Sequence, residues 1–419
     1  MSTPVTPEPA ADSGFACDSK WRSACTGEPF YGEDRSKRYC VLHFPGKEKT
    51  GQFKEVFDRK KEQKNFDFSG VWFPEKVSFA ELGFFGPTFS TPVNFREATF
   101  SEGAEFVFAT FNDGANFSAA KFSQVADFEL ATFNKGANFS KAIFEAEAKF
   151  WGASFSAEAN FSLATFMDYL SFLADGDKIR PFNENSGLTL AGARIEKPDH
   201  VSFHTLTLRP HWFVLADPRK FDFINVYWEC RSINREIESL QKLDLGFPVY
   251  RLLALAFTQL SVNAEENNRY EEASRFRYMA MDARRRESWR GFAPWRLSWW
   301  YWLASGYGER AWQAALVLLA LWFLFASSFF IGQGSGQWWR ASQTSSSSVV
   351  PTGVRAGMEA SPLLGFGEAL VYSASVITLQ KPEPAPSNKR AKTLVLLETV
   401  LGPVQAALLA LAIRRKFMR

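Results

Sequence analysis

The sequence predicts a mixed architecture: a four-sided parallel β-helix, then a helical linker, then a membrane module of two spans. Three observations predict it. Phenylalanine recurs at alternating steps of five and six from residue 95 to residue 172. Two apolar runs of 21 residues, 311–331 and 393–413, lie near the other end. Between repeat and runs, from about residue 229, the pattern turns amphipathic and helical. The chain has 419 residues, enough for two or three modules. Of these, 43 are Phe, more than an ordinary core uses, so a repeat or a membrane has to account for them.

The repeat comes first because a fixed period decides the fold. The positions are Phe95, Phe100, Phe106, Phe111, Phe117, Phe122, Phe128, Phe133, Phe139, Phe144, Phe150, Phe155, Phe161, Phe166 and Phe172. Alanine stands two residues before nearly every one, as at Ala115, Ala126 and Ala137. Neither the helical period of 3.6 nor the strand period of 2 produces this spacing. The longer period is 22: ATFNDGANFSAAKF at Ala109, ATFNKGANFSKAIF at Ala131 and ASFSAEANFSLATF at Ala153. One winding per 22 residues gives four short faces and stacks Phe on Phe at the strand spacing of about 4.8 Å. Ala and Phe then point inward, and Asn116, Asn138 and Asn160 form a ladder on the outside.

This pattern resembles the pentapeptide-repeat family, which implies a right-handed quadrilateral solenoid. The resemblance covers about 105 residues and fades toward 188–195; the extra residue on alternate faces departs from the strict form. The repeat domain is expected over 61–228, with the aromatic segment 211–229 sealing its end against edge exposure. Some pentapeptide proteins mimic DNA. Here residues 66–172 hold 13 acidic and 6 basic side chains, far from the charge density of a duplex. With a net charge of +3 for the whole chain, no nucleic-acid partner is expected.

Ahead of the repeat, in segment 1–60, stand Cys17, Cys25, Cys40 and His43. Three Cys and one His compose a tetrahedral zinc set, and a reducing cytoplasm favours thiolates over disulfides. Only Cys40 and His43 are closely spaced, so unligated buried thiols with a surface His are the alternative. Cys230 reads as core. The first 15 residues are polar and Pro-rich, and no cleavable signal peptide is expected. Residues 229–290 read as a helical hairpin that breaks near Asn267–Asn268. Its second half resembles a single tetratricopeptide unit, which suits docking or oligomerisation because one such unit cannot bury its own face.

The membrane module is expected over 291–419. The run 311–331 carries no charge and 393–413 carries one, Glu398; each is long enough to cross a bilayer. Arg284, Arg285, Arg286, Arg290, Arg296 and Arg310 precede the first run, and Arg414, Arg415, Lys416 and Arg419 follow the second. The positive-inside rule then places both termini in the cytoplasm of an inner (plasma) membrane. Nine of the 14 Trp fall between Trp289 and Trp339, as in an interfacial belt. Between the spans, 364–379 suits a short re-entrant helix, tolerated only where protein or water surrounds it. Span, short helix, span resembles the two-helix module of tetrameric cation channels. That resemblance implies that Thr378 and Gln380 line a narrow entrance. The chain reads ITLQKPEP there, not TVGYG, so strict potassium selectivity is not expected. Glu398 is expected to face the permeation axis or to cap the short helix, and Gly402–Pro403 to act as a hinge.

No phosphate-cradling loop, metalloprotease helix or nucleophile elbow appears, so no enzyme is expected. Two functions remain. One is a homo-oligomeric, ion-channel-like cation pore with a cytoplasmic repeat domain that senses or binds a protein. The other is a non-conducting, membrane-anchored scaffold.

Overall fold

The computed structural model describes residues 15–25, 27–79, 86–174, 181–183, 185–230, 233–241, 248–287, 297–333, 339–340, 365–380, 385–386 and 388–417. The chain forms two compact units, Met1–Asn267 and Asn268–Arg419.

The first unit is built on the repeat. Strands of two to four residues stack in four parallel sheets of four, five, six and seven strands. The register advances by 22 residues, as the sequence period requires. Ala115 pairs with Ala137 and Ala137 with Ala159; Phe122 pairs with Phe144 and Phe144 with Phe166. It departs from 22 where the chain between coils is longer, as between Phe73 and Phe100, Phe166 and Ile195, and Phe172 and Phe203, or shorter, as between Phe203 and Phe223. Phe128 and Phe139 are completely buried, whereas Asn138 is half-buried. Rings one coil apart lie parallel: Phe117 on Phe139 at 4.9 Å and Phe139 on Phe161 at 4.7 Å. The small Ala side chains leave room for these stacks, so large and small residues alternate across the interior. The Asn ladder forms as well. Asn116 Nδ2 donates to Asn94 Oδ1, and Asn138 Oδ1 accepts from the Ser140 backbone N–H.

The alternation of five and six has a backbone cause. In each five-residue step the corner is a type II turn. The N–H of Ala120 bonds the carbonyl of Phe117, and that of Ala142 bonds Phe139. The third residue of such a turn needs positive φ. Glu97, Phe108, Ala119, Leu130, Lys141, Gly152 and Leu163, eleven residues apart, all sit at φ between +54° and +63°. The six-residue steps use an extra residue to turn the other two corners. Left-handed backbone costs an L-residue about 1–2 kcal/mol, more than the ~0.5–1 kcal/mol entropy cost of glycine. Lys141→Gly, at an exposed corner, is therefore expected to stabilise the solenoid by about 0.5–1 kcal/mol. Thermal unfolding checks it; a lower midpoint would contradict the turn assignment.

Both ends of the stack are covered. At the N-terminal end, a β-hairpin of β1 (Phe30–Asp34) and β2 (Lys37–Cys40) leads to helix α1 (Thr50–Glu62). Phe53 and Phe57 of α1 pack on Phe73, Phe68 and Phe79 of the first coil. At the other end the segment 211–229 does not act as a separate seal. It contributes strands to the last coil, such as Phe223 paired with Phe203, because its alternating apolar residues continue the ladder. The cover is helical: α2 (Ile233–Gln241) and α3 (Val249–Glu266). Nδ2 of Asn263 in α3 bonds the carbonyls of Pro218, Arg219 and Phe221, tying the helix to that segment.

The second unit begins at Asn268, whose φ of +59° breaks the helix at the expected place. It comprises α4 (Tyr270–Glu287), α5 (Leu297–Ser305), α6 (Ala311–Gln333), α7 (Phe366–Ile377) and α8 (Lys389–Phe417). Helix α8 starts earlier than expected. Lys389, Arg390 and Lys392 form its first turn rather than a loop, since Lys and Arg are good helix formers.

Candidate metal centre and membrane helices

Four elements of the N-terminal cap bring the predicted ligands together. Cys17 lies beside β2, where the Asp18 N–H bonds the Arg38 carbonyl at 2.8 Å. Cys25 follows a short 3-10 turn, Arg22–Ala24. Cys40 ends β2, and a tight turn carries the chain to His43, whose N–H bonds the Cys40 carbonyl at 3.1 Å. The wide sequence spacing is thus closed by a hairpin. Three thiol sulfurs and one imidazole nitrogen lie within 4.8 Å of one another.

The distances fit a tetrahedral ion. Cys25 Sγ lies 3.6 Å from Cys40 Sγ, and His43 Nδ1 lies 3.8, 3.4 and 3.3 Å from the sulfurs of Cys17, Cys25 and Cys40. A tetrahedron with zinc-like bond lengths has edges of about 3.8 Å between sulfurs and about 3.6 Å from sulfur to nitrogen. Nε2 of His43 donates to the Ser69 carbonyl at 3.0 Å, which leaves the Nδ1 lone pair for a metal. Cys17, Cys40 and His43 are buried, and Cys25 is partly exposed. Hydrogen bonds from Cys25 and Cys40 draw the Cys17 thiol far below the usual range, and the contacts with Cys17 and Cys40 push Cys25 up. Burial opposes protonation of His43, but hydrogen bonds with Cys17 and Cys40 outweigh it and raise the imidazole to about 9. Three thiols this close cannot all ionise without a cation among them. The donor set can bind a metal ion.

Two residues of this region were not singled out in the sequence. Lys49 and Lys60 are 1% and 0% exposed. Burial lowers Lys49 to about 7 and also lowers Lys60. A sequence signal existed for Lys60: it falls on the same helical stripe as Phe53, Val56 and Phe57. The Ser69 carbonyl, being backbone, left none.

In the second unit, α6 and α8 are long and apolar enough to cross a membrane, and only 22% and 17% of their apolar windows are buried within the chain. They run antiparallel. Gln405 and Arg415, late in α8, bond backbone carbonyls at Ala304, Ala314 and Tyr307, whereas Leu394 and Val395, early in α8, pack by Phe325 and Phe329 late in α6. Helix α7 packs against both. Trp322 Nε1 donates to the Leu370 carbonyl at 3.0 Å, and Tyr372 and Val376 join Phe325 and Phe329 in one cluster.

The membrane residues singled out in the sequence are dispersed. Glu398 is fully buried and accepts a hydrogen bond from Ser373 Oγ, in the middle of α7 rather than at its end. Thr378 and Gln380 are exposed past the end of α7, and the Thr378 hydroxyl bonds the Ala374 carbonyl of its own helix. Pro403 lies inside an unbroken α8. Gly402 faces α7: a Cβ there would come within 2.9 Å of Ile377 Cγ1, so close helix approach is one reason for glycine at this position. Leu364, Trp338 and Pro384, Arg290, Arg296 and Arg419, and the serine-rich stretch 344–354 lie outside the described residues.

Glu309, in the loop before α6, holds α4 and α8 together. It accepts from Ser274 Oγ at 2.6 Å and from Arg277 Nε at 3.0 Å, and Arg415 Nη1 lies 3.5 Å away.

Comparison with known proteins agrees with the repeat. The family model for pentapeptide repeats (9 copies) matches residues 117–165. No curated protein and no solved structure matches the chain. Period, four-sided stack and family match coincide: the chain carries a pentapeptide-repeat domain, together with two helices able to span a membrane.

Proposed function

We propose that the chain is a multi-pass inner-membrane protein with both termini cytoplasmic. Copies of it assemble around an axis, as a tetramer, into a cation pore that is not strictly potassium-selective. The pentapeptide-repeat domain is its cytoplasmic sensor or binding part, with a protein rather than a nucleic acid as partner. The Cys17–Cys25–Cys40–His43 centre holds a structural Zn²⁺, and the protein is not an enzyme.

The observation that carries this reading is the packing of α7. A short helix is lodged against two antiparallel apolar helices, and its polar end, Thr378 and Gln380, is exposed. The apolar surface left open on α6 and α8 calls for lipid and for neighbouring copies. Arg277 of α4 and Arg415 near the end of α8 both reach Glu309, which supports one side of the membrane for them. One observation favours the non-conducting scaffold instead: Glu398 is engaged by Ser373 inside a single chain.

Ion flux into proteoliposomes separates the two. The pore reading expects cation flux above that of empty vesicles, and a several-fold change in Glu398→Gln and Thr378→Ala. No flux, or flux unchanged in both variants, leaves the scaffold. A monomer in detergent would count against the pore on separate grounds.

A further inference from the structure

Two ammonium groups in the N-terminal cap are buried without a carboxylate. Lys49 Nζ donates to the Leu42 carbonyl at 2.9 Å, and Lys60 Nζ donates to the Ala24 carbonyl at 2.8 Å. Among the described residues neither forms a salt bridge. Of the acids close by, Glu28 pairs with Arg59 at 3.2 Å and Asp67 accepts from the Ser69 hydroxyl at 2.6 Å, while Glu48, next to Lys49 in the chain, is exposed and forms no salt bridge with it. The rings of Phe53, Trp72 and Phe68 lie 5.0 to 5.6 Å from the two nitrogens and offset part of the desolvation. A buried ammonium still needs a counter-charge.

The placement indicates where that charge is. Leu42 immediately precedes His43, and Ala24 immediately precedes Cys25. Each lysine therefore grips the backbone next to a predicted ligand. Both belong to the α1 segment, Lys49 just before its first turn and Lys60 in its last. A divalent ion held by three thiolates and a neutral imidazole carries one net negative charge. Neutral thiols without a metal would carry none and would leave both lysines uncompensated.

We propose that Lys49 and Lys60 are the charge-balancing shell of an anionic divalent-metal centre, and that through them the bound ion locks α1 over the first coil of the solenoid. The lysines are positioning residues: they do not touch the ion but hold the backbone next to its ligands and offset its negative charge. This rests on the zinc assignment above.

The test measures zinc in the full-length chain purified in detergent, by mass spectrometry of metal content and by competition with a chelator. Wild type should carry one Zn²⁺ per chain. Lys49→Met and Lys60→Met should each weaken zinc binding by about tenfold or more, the size typical of outer-shell partners. Lys49→Arg and Lys60→Arg should retain most of the affinity, which separates charge from packing. In a Cys25→His background the loaded centre is formally neutral, and there the Lys→Met effect should largely vanish. A purely structural role for the lysines would leave it unchanged. Zinc-loaded wild type with unaltered affinity in the Met variants, or an equal loss in the Cys25→His background, would overturn the lysine proposal and leave the zinc centre standing. Wild type without zinc would overturn both. If Lys60→Met does not fold, the Lys49 arm of the same cycle decides.

Discussion

Replacing Phe139 with alanine is expected to destabilise the repeat domain by about 3–5 kcal/mol, toward the upper end of that range. The ring is fully buried and lies between two parallel neighbours, Phe117 at 4.9 Å and Phe161 at 4.7 Å. Phe128 and Phe150 meet it edge-on at 5.3 and 5.7 Å. A helical core can close around a deletion by sliding one helix. Here the coils above and below are pinned by backbone hydrogen bonds, such as the Phe139 N–H to the Asn160 carbonyl at 2.7 Å. The cavity therefore stays open, and the transfer and cavity terms add. Denaturant unfolding measures the effect. A loss below about 1 kcal/mol would mean that the stack is not the main source of stability.

Removal of the metal is expected to have the second large effect. Cys40→Ser takes away a fully buried ligand whose sulfur lies 3.3 Å from His43 Nδ1 and 3.6 Å from Cys25 Sγ. Structural zinc contributes on the order of 10 kcal/mol to small metallo-domains, so losing one of four ligands should cost roughly 5 kcal/mol or more of cap stability. Chelation of wild type should act in the same direction. Proteolysis within 15–62 and metal content give the readout; a cap equally resistant with and without chelator would contradict the assignment. The pH dependence follows from His43. In the metal-free centre its value is raised from 6.5 to about 9. That stabilises the metal-free form fully below pH 6.5, and the gain is lost as pH rises through 9. Zinc must displace the same proton, so its affinity should increase as the pH is raised across that interval.

The repeat was legible because its period is written in one residue type at fixed phase. Spacing alone places each Phe inward, and the 22-residue register follows from it. The corners were less legible. Lys141, Leu130 and Phe108 carry positive φ without being Gly or Asn, so no composition signal marks them. The ligand set was legible by type but not by spacing, since Cys17 and Cys40 are joined through a hairpin that nothing in their separation announces. The cap helix was missed because its charged surface hid a short apolar stripe, Phe53, Val56 and Phe57. In the second unit the long apolar helices are plain from composition, whereas the partner of Glu398 is not. A contact between α7 and α8 depends on helix rotation, which apolar runs leave undetermined.

The cap that gathers the three Cys and His43 precedes the coils it closes, and stacking order in the solenoid coincides with chain order. During synthesis this makes folding vectorial. The Ser69 carbonyl and the rings of Phe53 and Phe57 are in place before the second coil is made, and every later coil adds to a finished surface. The unpaired growing edge is then one coil wide at any moment, which limits its exposure to other chains. The closing helices α2 and α3 are translated before α6, so the stack can be complete when the first apolar helix leaves the ribosome. A lesion in the cap would remove the template for all coils, while a lesion in a late coil would spare those already laid down.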